Sequence, residues 1–209
     1  MKVIEQEIHS LKNSISEMWA LVHQQLYNAG EAMLTGDKEL AYKVISRERR
    51  VNAFELKIDS DCEDIIALYA PVAIDLRFVL AMYKINTNLE RLGDFAESIA
   101  RFAGNLPEGE PIDPQLVKET RVEEMLSELL SMISLTKEAF EKESSEIASR
   151  IFLKDNLIDE INHNSTAIIA KYIEECIGRV IYGRCYPENG TFRRSLYEYS
   201  GRAHFLSGR

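Results

Sequence analysis

Apolar residues recur every three or four positions along the first part of the chain. The first stripe consists of Ile4, Ile8, Leu11, Ile15, Met18, Val22, Leu26, Ala29 and Met33. This spacing predicts an amphipathic helix of about thirty residues, because positions three and four apart share one face of a helix. The "TGD" stretch at 35–37 ends this helix, and Asp37 can cap the next one.

Two further stripes predict two further helices. The second stripe runs from Ala41 to Tyr69 and stops at Pro71. The third helix is expected from about Asp75 to Phe102, with Met82, Ile85, Leu89, Leu92, Ala96 and Ile99 on its inner face. Long helices joined by short turns form an up-down-up bundle, so residues 1–104 are predicted to be a three-helix bundle.

The second half of the chain repeats this pattern without completing it. Residues 105–114 are rich in helix breakers and form the expected linker. Stripes at 122–140 and 147–172 then predict helices four and five. The segment at Val44 aligns with that at Ile151 at an offset of about 107 residues, which indicates a tandem repeat. The expected fold is therefore all-α, with tandem three-helix bundles of which the second, at 115–175, lacks a normal last helix.

Composition changes abruptly in the tail, residues 176–209. This tail contains five of the ten glycines, two of the three cysteines, six arginines and two acids. Synonymous codons for 186–208, read one base later, spell a helical peptide resembling "LERLGDFAESIA" of helix three. The alternatives are a divergent, flexible tail and a frameshift near Glu175, and we hypothesise the frameshift. It would remove helix six and leave an apolar groove on helices four and five. Residues after about 180 are then expected to be poorly ordered or packed without a clear apolar stripe.

Charge and composition exclude several classes of protein. A net charge of −9 argues against a nucleic-acid binder, which needs a basic face. The chain contains no run of about 18 apolar residues and no signal-peptide pattern at its start. Its three cysteines fit neither a disulfide framework nor a Cys-x-x-Cys metal site. We expect a cytoplasmic protein that is at most peripheral to a membrane.

Acidic residues at helical spacing suggest metal chemistry. The acids are Glu90, Asp94 and Glu97 on helix three, Glu48 on helix two, and Asp155 with Asp159 on helix five; the amide Asn52 lies one turn after Glu48. Carboxylates one turn apart can share a cation, and oxygen-only ligands suit iron, manganese, magnesium or calcium better than zinc. Gly93, between the acids, would allow the close approach of a neighbouring backbone or a metal. The alternative is a solvated acidic face without metal.

Four segments resemble the PhoU family of phosphate-uptake regulators. They are "VISRERRVNAFE", "PVAIDLR", "LERLGDFAESIA" and "KDNLIDEIN", within a resemblance that spans about residues 5–175. It implies two pseudosymmetric three-helix bundles and multinuclear clusters of iron or another metal on Glu/Asp-x-x-x-Asp motifs. The matching positions are Glu48 with Asn52, Glu90 with Asp94, and Asp155 with Asp159. Asn52 departs from the motif, because a neutral amide is a weaker ligand.

The resemblance also implies a function. Asp75 and Arg77 match the family's "DLR" signature, in which Asp75 can cap helix three and Arg77 can pair with an acid or phosphate. The expected protein is a non-enzymatic, homodimeric accessory of a phosphate ABC transporter that restrains a phosphate-sensing histidine kinase. Two alternatives remain: an enzyme of the di-iron carboxylate type, although no Glu-x-x-His motif is present, and a metal-free helical scaffold.

Overall fold

The chain folds into helices joined by short turns. The computed structural model describes residues 3–107 and 111–181. Within those ranges the elements are α1 (Val3–Thr35), α2 (Lys38–Tyr69), α3 (Ile74–Asn105), α4 (Pro114–Thr120), α5 (Val122–Lys142) and α6 (Ser145–Ile181), and no strand is present. The predicted all-α fold class is confirmed. None of the described helices has an apolar stretch long enough to cross a bilayer.

Helices α1, α2 and α3 form an antiparallel bundle around the predicted stripes. Its main core contains Leu11, Ile15, Met18, Val22, Val51, Ile58, Met82 and Leu89, each almost fully buried. At the α1–α2 turn end, the core consists mainly of small side chains: Ala29, Ala32, Ala41, Val44, Ala96, Ala100 and Ala103. Burial of these apolar faces is the main source of the bundle's stability, since helices in proteins are stabilised mostly by the packing of an amphipathic face.

The two turns of this bundle differ in their chemistry. Between α1 and α2, Gly36 adopts a φ of 72°, and the Asp37 carboxylate accepts a hydrogen bond of 2.9 Å from the Leu40 amide, as a helix cap. Between α2 and α3, the left-handed conformation falls on two alanines, Ala70 at φ 43° and Ala73 at φ 48°. Helix α3 therefore begins without a side-chain cap.

A short helix that the periodicity did not predict follows the linker. In α4, the Asp113 carboxylate accepts a hydrogen bond of 2.8 Å from the Gln115 amide, and Pro114 is the first helical residue. Arg121, at φ 53°, separates α4 from α5 and forms ion pairs with Glu124 and Glu160. Seven residues are too few to show a periodic stripe, but the Asp-Pro pair is a recognisable helix start.

Helix α5 packs against α6 and also against α1. The Trp19 indole N–H donates to the Ile133 carbonyl at 3.2 Å, and its ring stacks on Phe140 with centroids 5.9 Å apart. Lys12 lies 5.4 Å from the centroid of the same Phe140 ring and 3.4 Å from the Glu143 carboxylate. An aromatic and ionic contact therefore joins the second half of the chain to the first bundle.

The second half is less buried than the first. No residue of α5 is fully buried, and Ile161 is the buried apolar residue of α6 among those described. The exposed large apolar side chains of this pair include Leu129, Phe152 and Ile169. Helix α6 continues through Ile181, past the predicted boundary at Glu175. Residues 182–209, most of the predicted aberrant tail, lie outside the described residues.

Candidate functional site

Glu48 is a buried carboxylate inside the first bundle. It lies on α2 between Val44 and Val51, on the face that builds the core, and only 6% of its surface is exposed. Within the described part of the chain, neither of its carboxylate oxygens has a hydrogen-bond partner. Burying an unpaired charge is costly, so this group either binds a proton or requires a cation.

Further acids on α2 and α3 surround this carboxylate. Burial first, and then the negative charges of Asp94, Glu97, Glu90 and Glu55, raise the pKa of Glu48 to about 7. Burial and Asp94 also raise the pKa of Glu90, and burial and Asp59 raise that of Glu55. The electrostatic pattern is that of a site that favours positive charge, since burial and the neighbouring acids raise the pKa of Glu48, Glu55 and Glu90.

Gly93 explains how α2 and α3 come so close at this point. A Cβ atom on Gly93 would lie 2.9 Å from Val51 Cγ1 and 3.6 Å from Glu48 Oε2. Any larger residue would push the helices apart and move Glu48 away from the acids of α3. The predicted close approach at Gly93 is present, and the group that approaches is the Val51 side chain.

Asn86 extends the polar layer toward the α2–α3 turn. This fully buried amide donates to the Glu55 carbonyl at 2.9 Å and to the Asp59 carboxylate at 2.7 Å. Its carbonyl oxygen has no hydrogen-bond partner among the described residues. Glu55 and Asp59 were not in the predicted set, although they show the Glu-x-x-x-Asp spacing two helical turns after Glu48 on α2.

The predicted metal residues of the first bundle are brought to one region but do not form a finished ligand set. Glu90 and Glu97 are half-buried, whereas Asp94 and Asn52 are exposed. The Glu97 carboxylate also forms an ion pair with the Arg101 guanidinium at 2.6 Å. In residues 3–107 and 111–181, no three Asp, Glu, His or Cys side chains converge closely enough to hold a metal ion.

The other predicted positions lie apart from this region. Asp155 and Asp159 are exposed on α6. The expectation that Asp75 caps α3 is wrong, because the helix begins one residue earlier, at Ile74, and its capping position is Ala73 without a side-chain bond. Asp75 instead lies in the first turn, where its charge still favours the positive end of the helix dipole. Arg77 is exposed one turn into α3.

We call Glu48, Glu55, Glu90 and Asp94 the acid layer. Its carboxylate oxygens are the donors that a hard cation prefers. A cation beside Glu48 would provide the partner that its two buried oxygens lack. It would also offset the repulsion among Glu48, Glu55, Glu90 and Asp94. The fold and site together define a class: a bundle of long helices with a carboxylate-lined layer between its second and third helices.

Comparison with known proteins identifies the family within this class. The PhoU domain model matches residues 15–103. A protein of Aquifex aeolicus (strain VF5), named "Phosphate-specific transport system accessory protein PhoU homolog", is 33% identical over 171 residues, which cover 81% of this chain and 75% of that protein. PhoU of Escherichia coli (strain K12) is 34% identical over 154 residues, covering 74% of this chain and 62% of that protein. The chain belongs to the PhoU family.

Solved structures agree with this assignment. The crystal structure of PhoU from Pseudomonas aeruginosa matches with a TM-score of 0.73 and 26% identity, covering 85% of each chain. The phosphate transport system regulatory protein PhoU from Streptococcus pneumoniae matches with a TM-score of 0.68 and 28% identity, covering 84% of this chain and 78% of that one. The relatives from Aquifex aeolicus and Escherichia coli are named as accessory proteins, and that from Streptococcus pneumoniae as a regulatory protein. The predicted family and non-enzymatic class are therefore confirmed.

Proposed function

We propose that this protein is a regulatory accessory of a phosphate-specific transport system. The observation that carries the proposal is its 33% identity, over most of both chains, to a relative that bears this name. In this proposal the protein acts in the cytoplasm as a homodimer. It restrains phosphate uptake and the signalling of a phosphate-sensing histidine kinase when phosphate is plentiful.

The acid layer of the first bundle is the proposed metal site. Glu48, Glu90 and Asp94 would hold the ion, with Glu97 and the weaker ligand Asn52 at the edge; Asp155 and Asp159 are the corresponding candidates of the second half. The ion is iron, or else manganese, magnesium or calcium, because carboxylate oxygens favour hard cations. Bound there, it would supply positive charge that fixes α2 against α3. The unpaired Glu48 oxygens support this assignment.

Deletion and complementation test the regulatory role. In phosphate-rich medium, a deletion strain should express phosphate-starvation genes that the wild type represses. Re-expression of the chain should restore repression, and an empty vector is the control. Unchanged expression of these genes in the deletion strain would contradict the proposal.

A further inference from the structure

The turn between α2 and α3 presents an unusual apolar surface. We call residues 68–74 the α2–α3 tip. Three of its aliphatic side chains are largely exposed: Leu68 at 72%, Val72 at 73% and Ile74 at 78%. These side chains lie within seven residues of one another, whereas single exposed apolar residues are common on any protein. A cluster of this kind at the end of a bundle marks a contact surface.

The backbone of the tip is held in a conformation that its sequence disfavours. Ala70 adopts φ 43° and ψ 57°, and Ala73 adopts φ 48° and ψ −106°. Both conformations favour glycine over alanine. Such strained positions persist only where surrounding structure enforces them, and they concentrate at functional sites.

The base of the tip is well packed and provides that enforcement. Pro71 is buried within the turn itself. Directly below it, Ile65 and Val79 are buried in the core, and the Cys62 thiol donates a weak hydrogen bond of 3.8 Å to the Val79 carbonyl. The exposed aliphatic side chains therefore project from a rigid base. Because the α2–α3 tip is preorganised, it loses little conformational entropy when it binds a partner.

The charge around the tip indicates what it binds. From residue 57 to 77 the chain carries five acids and two bases, so the region is negative overall. Of the bases, Lys57 pairs with Asp61 and Arg77 is exposed, and Glu63 and Asp64 on α2 are exposed as well. Anionic lipid headgroups would be repelled by this rim. A two-fold contact with the same tip of a second copy would place like charges together. A protein surface with basic side chains complements it.

We propose that the α2–α3 tip inserts into an apolar cleft, bordered by Lys and Arg side chains, on a protein of the phosphate-specific transport system. This inference rests on the proposed function, which supplies the transport system as the partner. It assigns Leu68, Val72 and Ile74 as the anchoring side chains. Glu63 and Asp64 provide the electrostatic rim.

A binding experiment with matched variants tests this assignment. The probe is the purified phosphate-specific transport complex of the source organism in lipid nanodiscs, titrated with the full-length protein. The tip variant L68S/V72S/I74S should bind at least about tenfold more weakly than wild type, as expected for loss of interface anchors. The control variant Y27S/Y42S/L56S removes three exposed apolar side chains elsewhere and should bind within about twofold of wild type. Far-UV circular dichroism confirms that both variants remain helical.

The rim is tested separately by salt and charge. E63Q/D64N should weaken binding at low ionic strength and flatten its salt dependence, because the two charges contribute mainly at low screening. Equal binding of the tip variant and wild type would overturn the tip assignment and leave the proposed function intact. Absence of any wild-type binding to the complex would overturn both.

Two further outcomes would also reject the assignment. One is tip-dependent binding to nanodiscs of phosphatidylglycerol without the complex, which would make the tip a lipid contact. The other is concentration-dependent dimerisation that the tip variant abolishes, measured by analytical ultracentrifugation, which would make it a self-association surface.

Discussion

At the scale of single residues, the burial of Glu48 determines the electrostatics of the acid layer. Its neighbours on α2 and α3 are acids, and its oxygens lack partners among the described residues. The sequence placed Glu48 correctly in the register of the core stripe. It could not show that Asn52, four residues later, is exposed. A four-residue step rotates about 40° around the helix, and whether that position is covered depends on how the neighbouring helices pack.

The raised pKa of Glu48 predicts a pH-dependent stability. The group has a pKa of about 7 in the folded protein against 4.5 for the free side chain, so folding binds a proton between these values. Ionised Glu48 therefore destabilises the metal-free fold above pH 7, and this penalty disappears below about pH 4.5. Allowing for screening by nearby water, Glu48→Gln should stabilise the metal-free protein by about 2 kcal/mol at pH 8.

Urea denaturation in the presence of a chelator measures this difference. The advantage of Glu48→Gln over wild type should shrink as the pH falls from 8 to 5. Glu39→Gln, an exposed position on the same helix, is the control and should shift stability little at any pH. A difference that is constant across the range would show that Glu48 does not titrate with a raised pKa.

At the scale of helices, periodicity predicted most of the fold because the apolar stripes are long and regular. The bounds of α1, α2 and α3 agree closely with their stripes and with the Asp37 cap. Helix α4 was missed because it is too short for a stripe. The Asp75 cap was predicted wrongly because α3 begins one residue earlier, at Ile74, after a left-handed Ala73 that periodicity does not reveal. The sequence showed that Gly93 is costly in a helix, and the structure adds the reason, which is contact with Val51.

This contact predicts a specific coupling between Gly93 and Val51. In Gly93→Ala, the new Cβ would lie 2.9 Å from Val51 Cγ1, in a buried and β-branched side chain that cannot rotate away freely. We expect a net loss of about 1–2 kcal/mol of stability, because the strain of overpacking exceeds the gain in helix propensity. In a Val51→Ala background the same change should cost little or become stabilising.

A double-mutant cycle by urea denaturation measures this coupling. Gly104→Ala is the matched control, because a Cβ there meets no atom within 4 Å and should only stabilise α3 or leave it unchanged. Additive effects of Gly93→Ala and Val51→Ala would mean that the two helices do not approach as closely as described.

At the scale of the whole molecule, the chain combines a well-packed first bundle with a less buried second half attached through Trp19 and Phe140. The four sequence motifs predicted the family, and the regular apolar stripes predicted the helices of the bundle. The layout of the candidate site did not follow from them. Whether carboxylates at correct spacing converge depends on side-chain positions and helix separation, and Asp155 and Asp159 are exposed where the repeat predicted a second site.

Metal binding by the acid layer provides the test at this scale. In Glu90→Ala/Asp94→Ala, two of the acids beside Glu48 are removed, so we expect the metal content of the purified protein to fall by more than about half while helicity is unchanged. Metal-free, this variant should be at least as stable as wild type, because repulsion on α3 is relieved. Added metal should raise the melting temperature of wild type and not that of the variant.

The control for this experiment removes the same charge from another helix. Glu123→Ala/Glu141→Ala takes two exposed acids from α5 and should retain the wild-type metal content, measured by inductively coupled plasma mass spectrometry. A parallel variant, Asp155→Ala/Asp159→Ala, separates the contribution of the second half. If Glu90→Ala/Asp94→Ala keeps its full metal content and its metal-dependent melting shift, the ion is bound elsewhere. The unpaired oxygens of Glu48 would then be satisfied by a proton, which its pKa of about 7 allows near neutral pH.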